Sequence, residues 1–154
     1  MLLKEKMQTL LLNEKLAKGI RSHGSQMYPH ECCGALFGLD SDSGREVREL
    51  FPLVNRRTDS PRNRFSVTPD DVLYADRAAR DAGLAVVGWY HSHPDHPAIP
   101  SEFDREHAWP WYSYVIVSVA KGEAQTVASW RLADDRMRFE PEKISAGAAA
   151  NAMP

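Results

Sequence analysis

Two histidines one residue apart, His91 and His93, with a serine and an aspartate following at Ser101 and Asp104, are the residues whose types and spacing speak first of chemistry. Residues two apart in a strand point to the same side, so both imidazoles can reach one metal ion. Zinc accepts imidazole nitrogen and carboxylate oxygen at roughly 2.0–2.2 Å, and a catalytic zinc keeps three protein ligands with one position open. Asp104 is the candidate third ligand, because Pro100-Ser101 has the pattern of a helix start and places Asp104 in the first turn. Taken singly, a His-X-His pair is more often a polar strand end, and Ser-X-X-Asp a plain capping box. The joint spacing has a chance frequency on the order of one in a thousand given the chain's own composition. The four residues are therefore read as one metal-centred unit. Two histidines and one carboxylate also suit iron and other first-row ions.

The elements that must position this unit can be read around it. Asn13 is a good helix N-cap, and Leu16, Ile20 and Met27 recur on one face before Tyr28-Pro29 stops the helix just short of Glu31. Gly34 to Leu39 and Val47 to Val54, separated by the turn formers Asp40 to Gly44, read as a β-hairpin. Asn55 to Arg64 reads as an exposed loop ending at Phe65. Thr68-Pro69-Asp70-Asp71 starts a helix that should end near Gly83, with Asp71 completing a capping box. Leu84 to Trp89 is an apolar run suited to a strand buried on both faces, with His91 and His93 at its C-terminal end. Tyr112 to Val119 and Ala124 to Leu132 are two further strands joined by Lys121-Gly122-Glu123, and Met137 to Phe139 is a last edge strand. This order predicts a mixed α+β domain of the α/β class, a central mixed β-sheet flanked by helices.

The 154 residues suit one domain, expected over 1–144, with a tail at 145–154 that is too poor in large apolar side chains to offset the entropy of ordering. A net charge of −2 without a basic face argues against nucleic acid as a partner. Cys32 and Cys33 are adjacent, which makes an ordinary disulfide between them difficult, and this usage suits a reducing cytoplasm. Met1-Leu2-Leu3 and Leu10-Leu11-Leu12 are separated by Lys4, Glu5 and Lys6, so neither is a membrane span or a signal segment. The expectation is a cytoplasmic protein with no membrane partner.

His91-X-His93, seven residues, Ser101, two residues, Asp104 resembles the JAMM motif of the MPN-plus zinc metalloproteases. Upstream, Pro29-His30-Glu31-Cys32-Cys33-Gly34-Ala35-Leu36-Phe37-Gly38 is similar to the glutamate segment of that family, as are Asn55, Arg64-Phe65 and Val87-Gly88. The resemblance covers roughly residues 8 to 140. It implies the MPN (cytidine-deaminase-like) fold, Zn2+ on His91, His93 and Asp104, and Glu31 as the base that takes a proton from water and returns it to the leaving amine. It gives Ser101 a hydroxyl aimed at the oxyanion, an interaction of the kind worth about 3 kcal/mol, beside its capping role. An isolated glutamate before a strand is ordinarily solvated surface, so the weight on Glu31 comes from the match around it.

The resemblance also implies a substrate: the C-terminal tail of a ubiquitin-like or sulfur-carrier protein, cut at a peptide or isopeptide bond. An extended tail added to a strand edge beside the zinc, with Arg56 to Arg64 lining it, is the expected mode. Only seven residues separate Asp104 from Tyr112, which leaves no room for the insertions of relatives specialised for ubiquitin chains. The alternative is a non-catalytic MPN-type zinc-binding interaction module. A zinc nucleoside deaminase needs two cysteines with two residues between them, which adjacent Cys32 and Cys33 exclude. Those two thiols are read as small buried hydrophobes, not nucleophiles. Ser92, between the ligands, should face the opposite side and pack; His96 and His107 are read as exposed, with a spare-ligand or supporting role as the alternative.

Overall fold

The computed structural model describes residues 8–54 and 67–146. In chain order these form β1 (Thr9–Leu11), α1 (Glu14–Met27), β2 (Cys33–Ser41), β3 (Gly44–Leu53), α2 (Pro69–Asp81), β4 (Ala85–Pro94), α3 (Glu102–His107), β5 (Ser113–Ala120), β6 (Glu123–Leu132) and β7 (Phe139–Ser145). Both long helices begin as their sequences dictate. The Asn13 side chain accepts from the Leu16 N–H, and Thr68 and Asp71 form a reciprocal capping box around Pro69. Helix α1 buries Ala17, Ile20 and Gly24, whereas Met27, expected on the same face, stays exposed. A Cβ on Gly24 would come within 3.0 to 3.4 Å of Val119, Val117 and Ser92, so the absence of a side chain there lets α1 lie directly on β4 and β5.

The sheet is mixed, as the element order predicts, and it also closes, in the order β1-β3-β2-β4-β5-β6-β7. Strand β1 runs parallel to both β3 and β7, β4 runs parallel to β5, and the remaining pairs are antiparallel. Two expectations need correction here. The three residues of β1 are too few to carry a period, yet they join the two ends of the sheet. The last strand starts at Phe139, not Met137, and it is no edge, since β6 and β1 flank it. Its signal is hidden by Glu140, Pro141, Glu142 and Lys143; Glu142 is buried and satisfied by the Ser129 hydroxyl at 2.7 Å and the Arg131 guanidinium at 2.8 Å. Ser145, expected to open the tail, is the last residue of β7. Residues 147–154, and the 55–66 segment with Asn55 and Arg56 to Phe65, lie outside the described residues.

Two apolar cores lie on opposite faces of the sheet. Ala17 and Ile20 of α1 pack with Leu36, Val47, Val87, Tyr90, Val115 and Val117, while Ala75 and Ala79 of α2 pack with Ala35, Phe37, Val86 and Trp89. Strand β4 is buried by both, as its apolar run predicts. No helix among the described residues is long and apolar enough to cross a membrane.

Candidate metal centre

Strand β4 does not end before the histidines. It runs on through His91, Ser92, His93 and Pro94, with His91 level with Ile116 and His93 level with Ser118 of β5. Alternation then separates the side chains. Tyr90 and Ser92 enter the α1 core, and the two imidazoles leave on the other face. Ser92 packs as expected: its hydroxyl oxygen accepts from the Cys32 N–H at 2.8 Å, and it is fully buried. Helix α3 brings the carboxylate. Ser101 is its N-cap, accepting from the Asp104 N–H at 3.1 Å, and Asp104 Oδ2 accepts in return from the Ser101 N–H at 2.9 Å. The capping box and the ligand set thus share one residue, and the cap fixes the rotamer that aims Asp104 at β4.

His91 Nε2 lies 3.2 Å from His93 Nε2 and 3.3 Å from Asp104 Oδ2, and His93 Nε2 lies 3.1 Å from the same oxygen. Four donors placed tetrahedrally at zinc bond lengths are about 3.3–3.4 Å apart, so this triangle is one face of such a tetrahedron. The protonation pattern agrees. His93 Nδ1–H donates to the Pro97 carbonyl at 2.8 Å, which leaves Nε2 with a lone pair in the neutral ring. Lone pairs converging on one point repel unless a cation or protons lie between them. Burial would raise the Asp104 carboxyl, but when no cation lies among the ligands and the imidazoles carry protons on Nε2 instead, the His91 charge and hydrogen bonds from His91, His93 and the Ser101 N–H outweigh it and hold it well below the usual carboxylate range. It is an anion wherever the protein is folded near neutrality.

The segment between β4 and α3 is tied down almost residue by residue. The Asp95 N–H donates to Val119 O at 2.6 Å, the Ser118 hydroxyl to His96 O at 2.6 Å, and the Trp130 indole N–H to Ala98 O at 3.1 Å. Asp95 is held in the left-handed region at φ 58°. Its carboxylate accepts from the Lys121 N–H at 2.9 Å and from the Tyr28 hydroxyl at 2.6 Å. Tyr28 precedes the segment leading to Glu31, so one carboxylate links the histidine loop to the glutamate loop. Nothing in the sequence marks this link, because its partners are 67 and 26 residues apart.

Glu31 is buried immediately before β2. Cys33 is level with His91, and the Ser92 N–H donates to Cys32 O at 3.1 Å, so the chain from Glu31 enters β2 next to the strand that carries both imidazoles. Among the described residues the ligand group comprises His91, His93 and Asp104, without His96, His107 or either cysteine. His96 and His107 are exposed, and His107 Nδ1–H donates to Phe103 O at 2.9 Å within α3. Burial pushes the Cys32 thiol up to about 11 and Cys33 well above its ordinary value, so neither is a thiolate at neutral pH.

A cavity of about 980 Å³ opens onto the ligands. His91, Asp104 and Cys33 lie in its wall with Val72, Leu73, Trp89, Trp109, Trp111 and Tyr112. This aromatic trough is invisible in the sequence, because its walls come from α2, β4, α3 and the segment before β5.

The model of the family described as prokaryotic homologs of the JAB domain matches residues 13–133. The desampylase of Haloferax volcanii is 42% identical over 91 residues, which is 58% of this chain and 63% of that protein. The tail tip assembly protein K of Escherichia phage N15 is 35% identical over 120 residues, 75% of this chain and 44% of that one. A probable TtuB-protein conjugate cleaving protease of Thermus thermophilus is 35% identical over 101 residues, 66% of this chain and 64% of its own length. The chain thus spans less than two thirds of each of these relatives. A solution structure of a Salinibacter ruber protein, 44% identical, covers 92% of both chains with a TM-score of 0.71.

Proposed function

This chain is a member of the prokaryotic JAB-domain family, and from that premise we propose that it is a zinc-dependent peptidase or isopeptidase. Its substrate is the C-terminal tail of a ubiquitin-like or sulfur-carrier protein, met in the cytoplasm. The observation that carries the reading is the convergence of His91 Nε2, His93 Nε2 and Asp104 Oδ2 within 3.3 Å of one another at the end of the aromatic cavity. The names of two relatives, a desampylase and a protease that cleaves TtuB-protein conjugates, support the substrate class.

His91, His93 and Asp104 would hold the metal. Bound there, zinc would supply a Lewis acid for the carbonyl and would bring the pKa of its water down to about 7. Glu31 takes the proton from the attacking water and gives it to the leaving nitrogen as the C–N bond breaks; its burial suits a carboxylate to that shuttle. Ser101 uses its oxygen lone pair to cap α3, so its O–H proton remains to donate to the carbonyl oxygen as negative charge develops. The tail enters through the cavity. Up to His91 strand β4 is paired by β2 on one side and by β5 on the other, so a tail added as a strand would have to pair beyond that point.

The test is incubation of zinc-loaded protein with carrier-protein fusions that bear a Gly-Gly junction, followed by mass analysis of the products. Cleavage after the second glycine is expected, as is a loss of about a thousandfold in Glu31→Gln with zinc retained. A wild-type protein that holds one zinc and leaves every fusion intact would refute the assignment and leave the non-catalytic zinc-binding module.

A further inference from the structure

We propose that Arg45 is a positioning residue that holds Trp111 as the substrate-contacting wall of the cavity; this deepens the function proposed above and rests on it. Arg45 is 1% exposed, on the side of β3 that carries Val47, with Asp40 and the charges of Arg131 and Glu142 nearby. A guanidinium in such a place is costly, and an apolar side chain would serve the core at least as well. Its bonds show where the charge is used. Nε donates to Asp40 Oδ1 at 3.0 Å, and Nη1 lies 3.0 Å from Val87 O, 3.0 Å from Ser113 Oγ and 2.6 Å from Trp111 O. The guanidinium carbon stands 4.2 Å from the centroid of the Trp111 ring. Arg45 thus grips Trp111 twice, by its carbonyl and by its indole face.

Trp111 needs that grip. Its φ is 90°, a backbone conformation that a bulky L-residue avoids and keeps only where its surroundings impose it. The indole nevertheless lines the cavity while 49% exposed, edge-on to Tyr112, which is in turn edge-on to Trp89 beside His91. A strained, half-exposed aromatic at the end of a chain of rings leading to the metal ligands is placed to contact what enters. Packing alone gives no reason for the strain. Arg45 therefore acts from inside the sheet on a surface it does not itself reach.

Two measurements test this on the full zinc-loaded protein. The chain has four tryptophans, so 5-fluorotryptophan labelling gives four fluorine resonances, with that of Trp111 identified by its loss in Trp111→Phe. Arg45→Met should shift or broaden the Trp111 resonance and leave that of Trp130 in place. For a cleavable fusion, Arg45→Met should raise KM about tenfold with kcat within about twofold, the pattern of lost binding. In a Trp111→Ala background Arg45→Met should add nothing to KM, since both changes remove the same contact. If Arg45→Met does not fold, Arg45→Lys, which keeps a charge near Asp40 but not the planar fork, replaces it with the same readouts. An unmoved Trp111 resonance, or KM effects that simply multiply in the double variant, overturns the inference. A wild-type protein that cuts no fusion overturns the proposed function instead, and the resonance then decides by itself whether Arg45 holds Trp111.

Discussion

Strand β4 presents Tyr90 and Ser92 to one core and Trp89, His91 and His93 to the other side, and the two faces treat their polar atoms in opposite ways. On the α1 face the two polar side chains of β4 close on neighbours: Tyr90 and His23 share a hydrogen bond of 2.7 Å, and Ser92 accepts from the Cys32 N–H at 2.8 Å. On the cavity face three acceptor atoms are brought to within 3.3 Å of one another. Buried polar groups that satisfy each other carry structure. Acceptors aimed at a common point, and held there by a cap, a Pro97 carbonyl and a pinned loop, carry a ligand. One strand with a period of two can do both, because substitution on one face need not disturb the other.

The largest expected effect falls on the cavity face. His93→Ala should weaken zinc binding by more than about a hundredfold, beyond what loss of a supporting partner costs, and abolish cleavage. The urea midpoint of the metal-free protein should barely move; an apoprotein that unfolds on this substitution would mean that the faces are not separable. The converse follows on the α1 face. A Cβ on Gly34 would sit 2.3 to 2.5 Å from the Tyr90 ring, so Gly34→Ala should cost about 3 kcal/mol of stability in urea unfolding. Its zinc affinity should stay within about threefold of wild type, since the nearest strand ligand, His91, points away. Ser92→Ala removes the acceptor of one buried N–H and should cost about 1 to 2 kcal/mol, again with zinc affinity nearly unchanged. A hundredfold loss of zinc in Ser92→Ala would break the comparison at its centre.

What the sequence disclosed divides along the same physical line. Asn13, Thr68 and Ser101 were legible as caps because a cap is made within three residues of itself. The convergence of His91, His93 and Asp104 was legible because a strand period and a first helical turn fix where they point. Strand β1 was not, since Leu10 and Leu11 are strand residues only by virtue of Arg45, Glu46, Ile144 and Ser145. No local pattern marks Glu142 as buried, because its partners, Ser129 and Arg131, lie a strand away. Tyr28 with Asp95, and Arg45 with Trp111, are contacts between segments distant in sequence, and no local pattern encodes them. Local rules therefore brought the three candidate ligands together, while the cavity that opens beside them arises only from tertiary packing.

The smallest effect concerns pH and asks whether the α1 face stays closed. Burial lowers the His23 imidazole from its ordinary value, so the folded chain favours the neutral ring. In the unfolded chain that ring takes its proton near pH 6.5. Stability from this site is therefore complete above about pH 6.5 and is lost as pH falls through the lower folded value. His23→Gln keeps a polar partner for Tyr90 but cannot titrate. The unfolding free energies of wild type and variant should accordingly converge or cross as pH falls from 7 to 5. The change should be roughly a few tenths of a kcal/mol, because the ring is partly in solvent and its charge is screened there. Taking the difference between the two proteins removes every other contribution to the pH dependence, which they share. The same difference should appear with and without zinc, since His23 bonds to the face of β4 that holds no ligand. A difference that vanishes on loading zinc would show that Tyr90 transmits the state of the metal centre through the strand to α1, and that the two faces are one system.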